Sequence, residues 1–129
     1  MASSTGGYLK ITYASKIGVI IQATKPSLRE TSRRLNIFLN SSRRYFEIQT
    51  ESNSAVPKLI IRKLVGTAKV TVVPSKYVLI AGSVSSLKLF ASFLDAATNH
   101  RRNESLRFDH AFSNNHVSSD SIRLTLMVE

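Results

Sequence analysis

The chain has no cysteine, only eight acidic side chains and only five glycines, and each shortage closes a class of function. Without cysteine there are neither disulfides nor thiolate metal sites. The glycines form no G-x-G-x-x-G loop and no P-loop, so no phosphate-cradling motif is present. Ser83 follows a glycine, but the G-x-S-x-G elbow of a serine nucleophile is missing. The carboxylates are scattered and offer no pair for acid–base work. No apolar run approaches the roughly 20 residues that a membrane span needs. The opening MASSTGG has no charged segment followed by an apolar one, so no signal peptide is read there. These absences lead us to expect a non-enzymatic, cytoplasmic protein with no cofactor and no bound metal.

What is present points to a folded domain. The 129 residues are 43% hydrophobic, enough for one domain with a sizeable core. The strongest internal signal is a repeat. Lys69 to Asp95 aligns without a gap on Lys10 to Asn36, 59 positions earlier. Seven of the 27 pairs are identical: Lys10/Lys69, Thr12/Thr71, Val19/Val78, Ile21/Ile80, Ser27/Ser86, Leu28/Leu87 and Leu35/Leu94. The identities fall in phase with the hydrophobic pattern, which is the mark of a duplicated unit. Two copies are too few for a solenoid, so 1–129 reads as a single domain with repeat 1 over 8–64 and repeat 2 over 68–129.

Each repeat has the same order of elements. Tyr8–Tyr13 alternates, with Leu9, Ile11 and Tyr13 on one face, and predicts a half-buried strand. A turn at Ala14–Lys16 leads to a second strand, Ile17–Gln22. Pro26 marks a helix start, with Thr24 as a cap and Ser27 with Glu30 matching the S-x-x-E capping box. The helix runs to about Asn40, with Leu28, Thr31, Leu35, Phe38 and Leu39 facing inward. Tyr45–Gln49 and Lys58–Leu64 are the third and fourth strands. The second repeat gives strands at Lys69–Val73 and Tyr77–Ala81, a helix over about Ser85–Ala97, and strands at Ser105–Asp109 and Ser121–Val128. The apolar face of the second helix is the wider, so it is expected to be the more buried. The fold class is therefore α+β, a duplicated ββαββ unit of eight mainly antiparallel strands with two helices on one face, related by a pseudo-two-fold. The cleanly alternating Ser121–Val128 is the candidate edge strand for homodimer formation.

Charge is the main pointer to function. The net charge is +10, which favours an acidic partner. It is unevenly shared: residues 1–64 carry eleven Lys and Arg against three Glu, and residues 65–129 carry seven against five acidic residues. Lys25, Arg29, Arg33, Arg34, Arg43 and Arg44 cluster on and just after the first helix and are the candidate partner-binding residues. Arginine is the favoured side chain for carboxylate recognition and is enriched at protein interfaces. A nucleic-acid surface would interleave exposed aromatics with the cations; Tyr45 fits, but Phe38 and Phe46 are phased inward. His100, His110 and His116 all lie in the second half, the last two near Asp109 and Asp120, at a spacing that matches no common metal motif.

Three segments of the second copy carry a resemblance. VLIAGSVSSLKLFASFL, the histidine-bearing LRFDHAF and the closing SSDSIRLTL together resemble a family of small immunity proteins from bacterial polymorphic toxin systems. The likeness covers about half of the chain. In the first copy Ala23-Thr24 replaces Gly-Ser and no histidine follows Phe46. The resemblance implies ββαββ units that bind and neutralise a cognate toxin inside the producing cell. The expectation is a tandem immunity protein that occludes an acidic toxin surface through its basic residues, with a nucleic-acid-binding module using the basic helix or sheet face as the alternative.

Overall fold

The computed structural model describes residues 9–51, 54–99, 101, 104–110, 113 and 115–129. Ten elements follow in the order β1 (Lys10–Ala14), β2 (Gly18–Ala23), α1 (Lys25–Leu39), β3 (Tyr45–Gln49), β4 (Lys58–Lys63), β5 (Lys69–Val73), β6 (Tyr77–Gly82), α2 (Val84–Ala97), β7 (Ser105–Phe108) and β8 (Leu124–Val128). This is the ββαββ plan twice, an α+β fold with the two helices packed on each other. Tyr8 and His100 lie outside the described residues.

The strands do not form one antiparallel sheet. They form two four-stranded mixed sheets, ordered β1-β2-β8-β7 and β3-β4-β6-β5. Each sheet joins the first hairpin of one repeat to the second hairpin of the other. The joints are parallel: β2 with β8, and β4 with β6. The four remaining pairings are antiparallel. Sequence alternation reports which face a residue takes, not which strand lies beside it, so this exchange of hairpins had no local signal. Ser121–Val128 is also not an edge. Its regular part, β8, is an inner strand between β2 and β7, while residues 121–123 lie outside it.

One edge of each sheet, β1 in the first and β5 in the second, is covered by a loop from the opposite sheet, in matching ways. Beside β1, Glu51 N donates to Leu9 O at 2.8 Å and Ala55 N to Ile11 O at 2.9 Å. Beside β5, Ser118 N donates to Ala68 O at 2.8 Å and Ile122 N to Val70 O at 3.0 Å. Ser54 Oγ and Ser121 Oγ accept the amides of Ile11 and Val70. These bonds satisfy backbone groups that an open edge would leave for another chain. Lys69 and Asp120 add an ion pair at 2.8 Å across the second seam. The Lys69 ammonium and the Ser118 hydroxyl hold the Asp120 carboxyl down from 3.8 to about 2.

Helix starts repeat as well. Thr24, in extended backbone, accepts from Ser27 N at 3.3 Å, and Ser83 accepts from Ser86 N at 3.2 Å. Thr24 therefore caps α1 as expected, but Ser27 and Glu30 form no capping box. Ser27 is already the third helical residue, and Glu30 turns outward to Arg33. At the β1–β2 turn Gly18 has φ +97°, and a Cβ there would run into the Arg123 carbonyl oxygen, so only glycine fits.

All inward helix residues read from the sequence are buried. α1 buries Ser27, Leu28, Thr31, Ser32, Leu35 and Phe38; a step of 59 residues gives Ser86, Leu87, Phe90, Ala91, Leu94 and Ala97, all buried in α2. Each helix buries seven residues, so α2 is the more apolar but not the more buried. The helices touch where the copies coincide: Ser32 Oγ donates to Ala91 O at 3.1 Å, and 32 and 91 are equivalent positions. A small residue on each side lets the two backbones approach there. Aromatic packing differs between copies, Phe38 stacking on Phe46 in one and Phe90, Phe93 and Phe108 clustering in the other.

Two outcomes test this architecture. Because each sheet needs a hairpin from both repeats, residues 1–64 alone should not unfold cooperatively as a monomer. Any cooperative transition should shift with concentration, as for a dimer that restores the exchange; a concentration-independent melt of a monomeric fragment would contradict the sheet order. Thr31 Oγ1 is buried without a hydrogen-bond partner, where the equivalent residue is Phe90. Thr31→Val should therefore stabilise the protein by about 1 kcal/mol in urea denaturation, since a stranded hydroxyl carries a desolvation cost of that order.

Candidate partner-binding surface

The six cations singled out in the sequence do not all line one depression. Arg29 and Arg33 line a shallow depression between the helices, beside Asn36 and Asp95. Arg33 is engaged there by Glu30 in a two-point pair at 2.6 and 2.8 Å. The pairing holds the Glu30 carboxyl below its ordinary range and raises the Arg33 guanidinium, the shared hydrogen bond being the main cause. Lys25 is half-buried at the start of α1 and lines neither this depression nor the groove described next.

Arg34, Arg43 and Arg44 are brought together. With Tyr45, Phe46 and Glu47 they line an open groove of about 840 Å³ where the end of α1 meets β3. Arg34 and Arg43 lie over the Phe46 ring, their guanidinium carbons 5.5 and 5.9 Å from its centroid. Phe46 is inward, as its phase requires, yet it still fixes two cations by their attraction to its π-face. Lys63 has a structural task nearby. Its ammonium donates to Ser41 O at 2.6 Å and sits 4.6 Å from the Phe38 ring, neutralising carbonyls just beyond the C-terminus of α1.

The groove continues through Arg44 and Tyr45 into a cleft of about 420 Å³ on the outer face of β3, β4 and β6. Inward positions of these strands are Phe46 and Ile48, Leu59 and Ile61, and Val78 and Ile80. The outward ones include Tyr45, Ile60, Arg62, Tyr77 and Leu79. Register places Ile60 beside Leu79 in the middle row and Tyr45 beside Arg62 in the row above. Arg44 and Arg62 have no carboxylate partner among the described residues, whereas Glu47 is 3.7 Å from Lys58.

Apart from Tyr45 and its neighbour Arg44, these cleft residues were missed in the sequence. The available signal was out-of-phase apolarity: Ile60, Tyr77 and Leu79 stand at outward positions of strands whose other face is already filled. Exposure supports the same region. Tyr45 is 59% exposed, Leu64 48% and Val65 fully exposed. Hydrogen bonds from Leu64 N to Gly82 O and from Ser83 N to Gly66 O lay this linker along the start of α2, where Val84 is also exposed.

His110 and His116 sit elsewhere. His110 Nδ1 is 2.8 Å from Val117 O, and His116 Nδ1 is 3.3 Å from Ser86 Oγ in the first turn of α2. Among the described residues no group of three His, Asp or Glu side chains could hold a metal ion. No described helix is long and apolar enough to cross a membrane. Comparison with protein-family models, curated proteins and solved structures yields no match for this chain.

Two substitutions separate surface from scaffold. Arg44→Ala should leave stability within about 0.5 kcal/mol, because the side chain is exposed and makes no hydrogen bond or ion pair among the described residues. Arg34→Ala should cost about 0.5–1 kcal/mol through the lost contact with Phe46. Thermal melts of both variants check the ordering.

Proposed function

We propose that the protein is a non-enzymatic immunity protein that binds an acidic surface of a cognate bacterial toxin and occludes it in the cytoplasm of the producing cell. The observation that carries this reading is the continuous surface formed by the arginine groove and the apolar cleft. An apolar centre with cations at its rim has the composition of a protein–protein contact, where Tyr and Arg supply most of the binding energy. The resemblance of the second copy to small immunity proteins supplies the biological class. Arg43 and Arg44 would speed encounter with partner carboxylates and set orientation. An arginine fully desolvated against a carboxylate contributes about 2 kcal/mol or more, a rim pair far less. Arg33, occupied by Glu30, has the smaller part.

A second reading is favoured by one specific feature. Tyr45 and Tyr77 line the same cleft as Arg44 and Arg62, the interleaving that single-stranded nucleic acid uses for stacking and phosphate contact. Glu47 on that face and the aliphatic Ile60 and Leu79 at its middle weigh toward a protein partner.

The deciding experiment is capture from native cells with tagged protein, with and without nuclease. A single stoichiometric protein partner that survives nuclease is the expected result. Arg43→Glu/Arg44→Glu should abolish its retention and protection against the toxin while the protein stays folded, its melting temperature lowered only by the lost contact of Arg43 with Phe46. Recovery of nucleic acid alone, lost at high salt, would transfer the assignment to the second reading.

A further inference from the structure

The duplication provides an internal reference for which surface residues the fold requires. The two sheets are built on the same register: Val19 opposite Leu124 in one corresponds to Val78 opposite Leu59 in the other. Inward positions are apolar in both. Outward positions are not alike. Where the β3–β4–β6 face has Tyr77, Leu79, Ile60 and Arg62, the equivalent places on β2 and β8 hold Gly18, Ile20, Thr125 and Met127. Tyr45, opposite Arg62, corresponds to Ser105, opposite Met127. The other sheet folds with Thr125, Met127 and Ser105 where this one has Ile60, Arg62 and Tyr45, so the plan of the fold does not itself call for that isoleucine, arginine or tyrosine, whereas Gly18 is fixed by its own backbone and Ile20 matches Leu79.

We infer that the cleft on the outer face of β3, β4 and β6 receives an apolar side chain of the partner protein, presented on a segment whose flanking carboxylates pair with Arg44 and Arg62. The inference rests on the protein-partner reading above and says which chemistry the partner brings. Ile60 and Leu79 offer the inserted group only carbon, between Tyr45 and Tyr77. Arg44 and Arg62 at the same cleft form no ion pair with a carboxylate among the described residues, so the complementary segment is acidic on either side of its anchor. Leu64, exposed at the cleft, and Val65 and Val84 beyond it extend the apolar area. Exposed aliphatics give a nucleobase no hydrogen bond and no stacking plane, but they add contact area for a protein.

The test uses the full chain and three probes followed by heteronuclear NMR: the peptide Glu-Asp-Phe-Asp-Glu, its counterpart with Ala in place of Phe, and an oligothymidylate. The Phe peptide is expected to shift the amides of Tyr45, Ile60, Arg62 and Leu79 in a saturable way, at least about tenfold more tightly than the Ala peptide, as a buried aromatic anchor requires. The variant Ile60→Thr/Arg62→Met takes the residues that the other sheet carries at the equivalent places. It should fold, as read from an unchanged amide dispersion, and lose that binding. Saturable shifts at this face by oligothymidylate but not by the peptide would overturn the inference in favour of nucleic acid. No shift by any probe, equal shifts by the Phe and Ala peptides, or unaltered binding by the folded variant would overturn it outright. If toxin protection is lost in Arg43→Glu/Arg44→Glu but kept in Ile60→Thr/Arg62→Met, the immunity reading stands and the cleft falls out of it. If no protein partner is captured at all, both fall.

Discussion

Everything in the molecule depends on the two parallel joints, β2 with β8 and β4 with β6. Each joint sits at the middle of a sheet, so each carries strands that are hydrogen-bonded on both sides. Neither repeat can supply both strands of a joint. The β1–β2 hairpin must wait for β8, near the end of the chain, before its inner strand is paired. Such long-range pairing has a large loop-closure cost and slows folding relative to local hairpins. The crossing of α1 and α2 at Ser32 and Ala91 brings the repeats together at equivalent points and offsets part of that cost. The two edge seams then close against loops from the opposite sheet in the same pattern, so the exchange is sealed at both ends of the structure.

Interior and exterior have followed different rules after duplication. Helix positions 28 and 87, 35 and 94, and 32 and 91 keep the same kind of residue because they pack in equivalent surroundings. Arg34 and Phe93, also equivalent, differ in burial as well as in kind. Phe93 closes the aromatic cluster with Phe90 and Phe108, whereas Arg34 lies over Phe46 at the groove. This pair of equivalent helix positions thus changes from buried in the second copy to half-buried in the first. It changes at the place where the positive charge of the first repeat is concentrated. Some of that charge is structural: Lys63 holds the end of α1, and Glu30 occupies Arg33. Net charge alone overstates the number of cations that are free to meet a partner.

The element order, the caps at Thr24 and the inward residues of both helices were legible in the sequence, because each rests on periodicity or local hydrogen bonding. Strand limits agreed to within one to three residues. Sheet order was not legible. Ile21 and Leu126 alternate in the same way whether they pair with each other or with strands of their own repeat. The failure at Ser27 and Glu30 is instructive, since the motif was present but lay three residues inside the helix, where its amide was already capped by Thr24. Of the candidate site, Arg34, Arg43 and Arg44 were legible as a local run. Ile60, Arg62, Tyr77 and Leu79 come from two strands that only the parallel joint brings side by side.

That last dependence links the fold to the proposed function. The cleft is built across β3, β4 and β6, and so across the joint between the repeats. Tyr45 and Ile60 come from the first copy, Tyr77 and Leu79 from the second. A single ββαββ unit supplies only one half of the arrangement. A symmetric pair of identical units would carry the same face twice, with the same residues on both. Joining the units in one chain removes that constraint, because the two faces can then differ. One face has Gly18, Thr125 and Met127, while the other has two tyrosines and an arginine around an aliphatic centre. Duplication in this chain therefore yields one asymmetric face, the one proposed for partner binding, from a symmetric scaffold. The parallel joint that organises the fold is also what assembles the site.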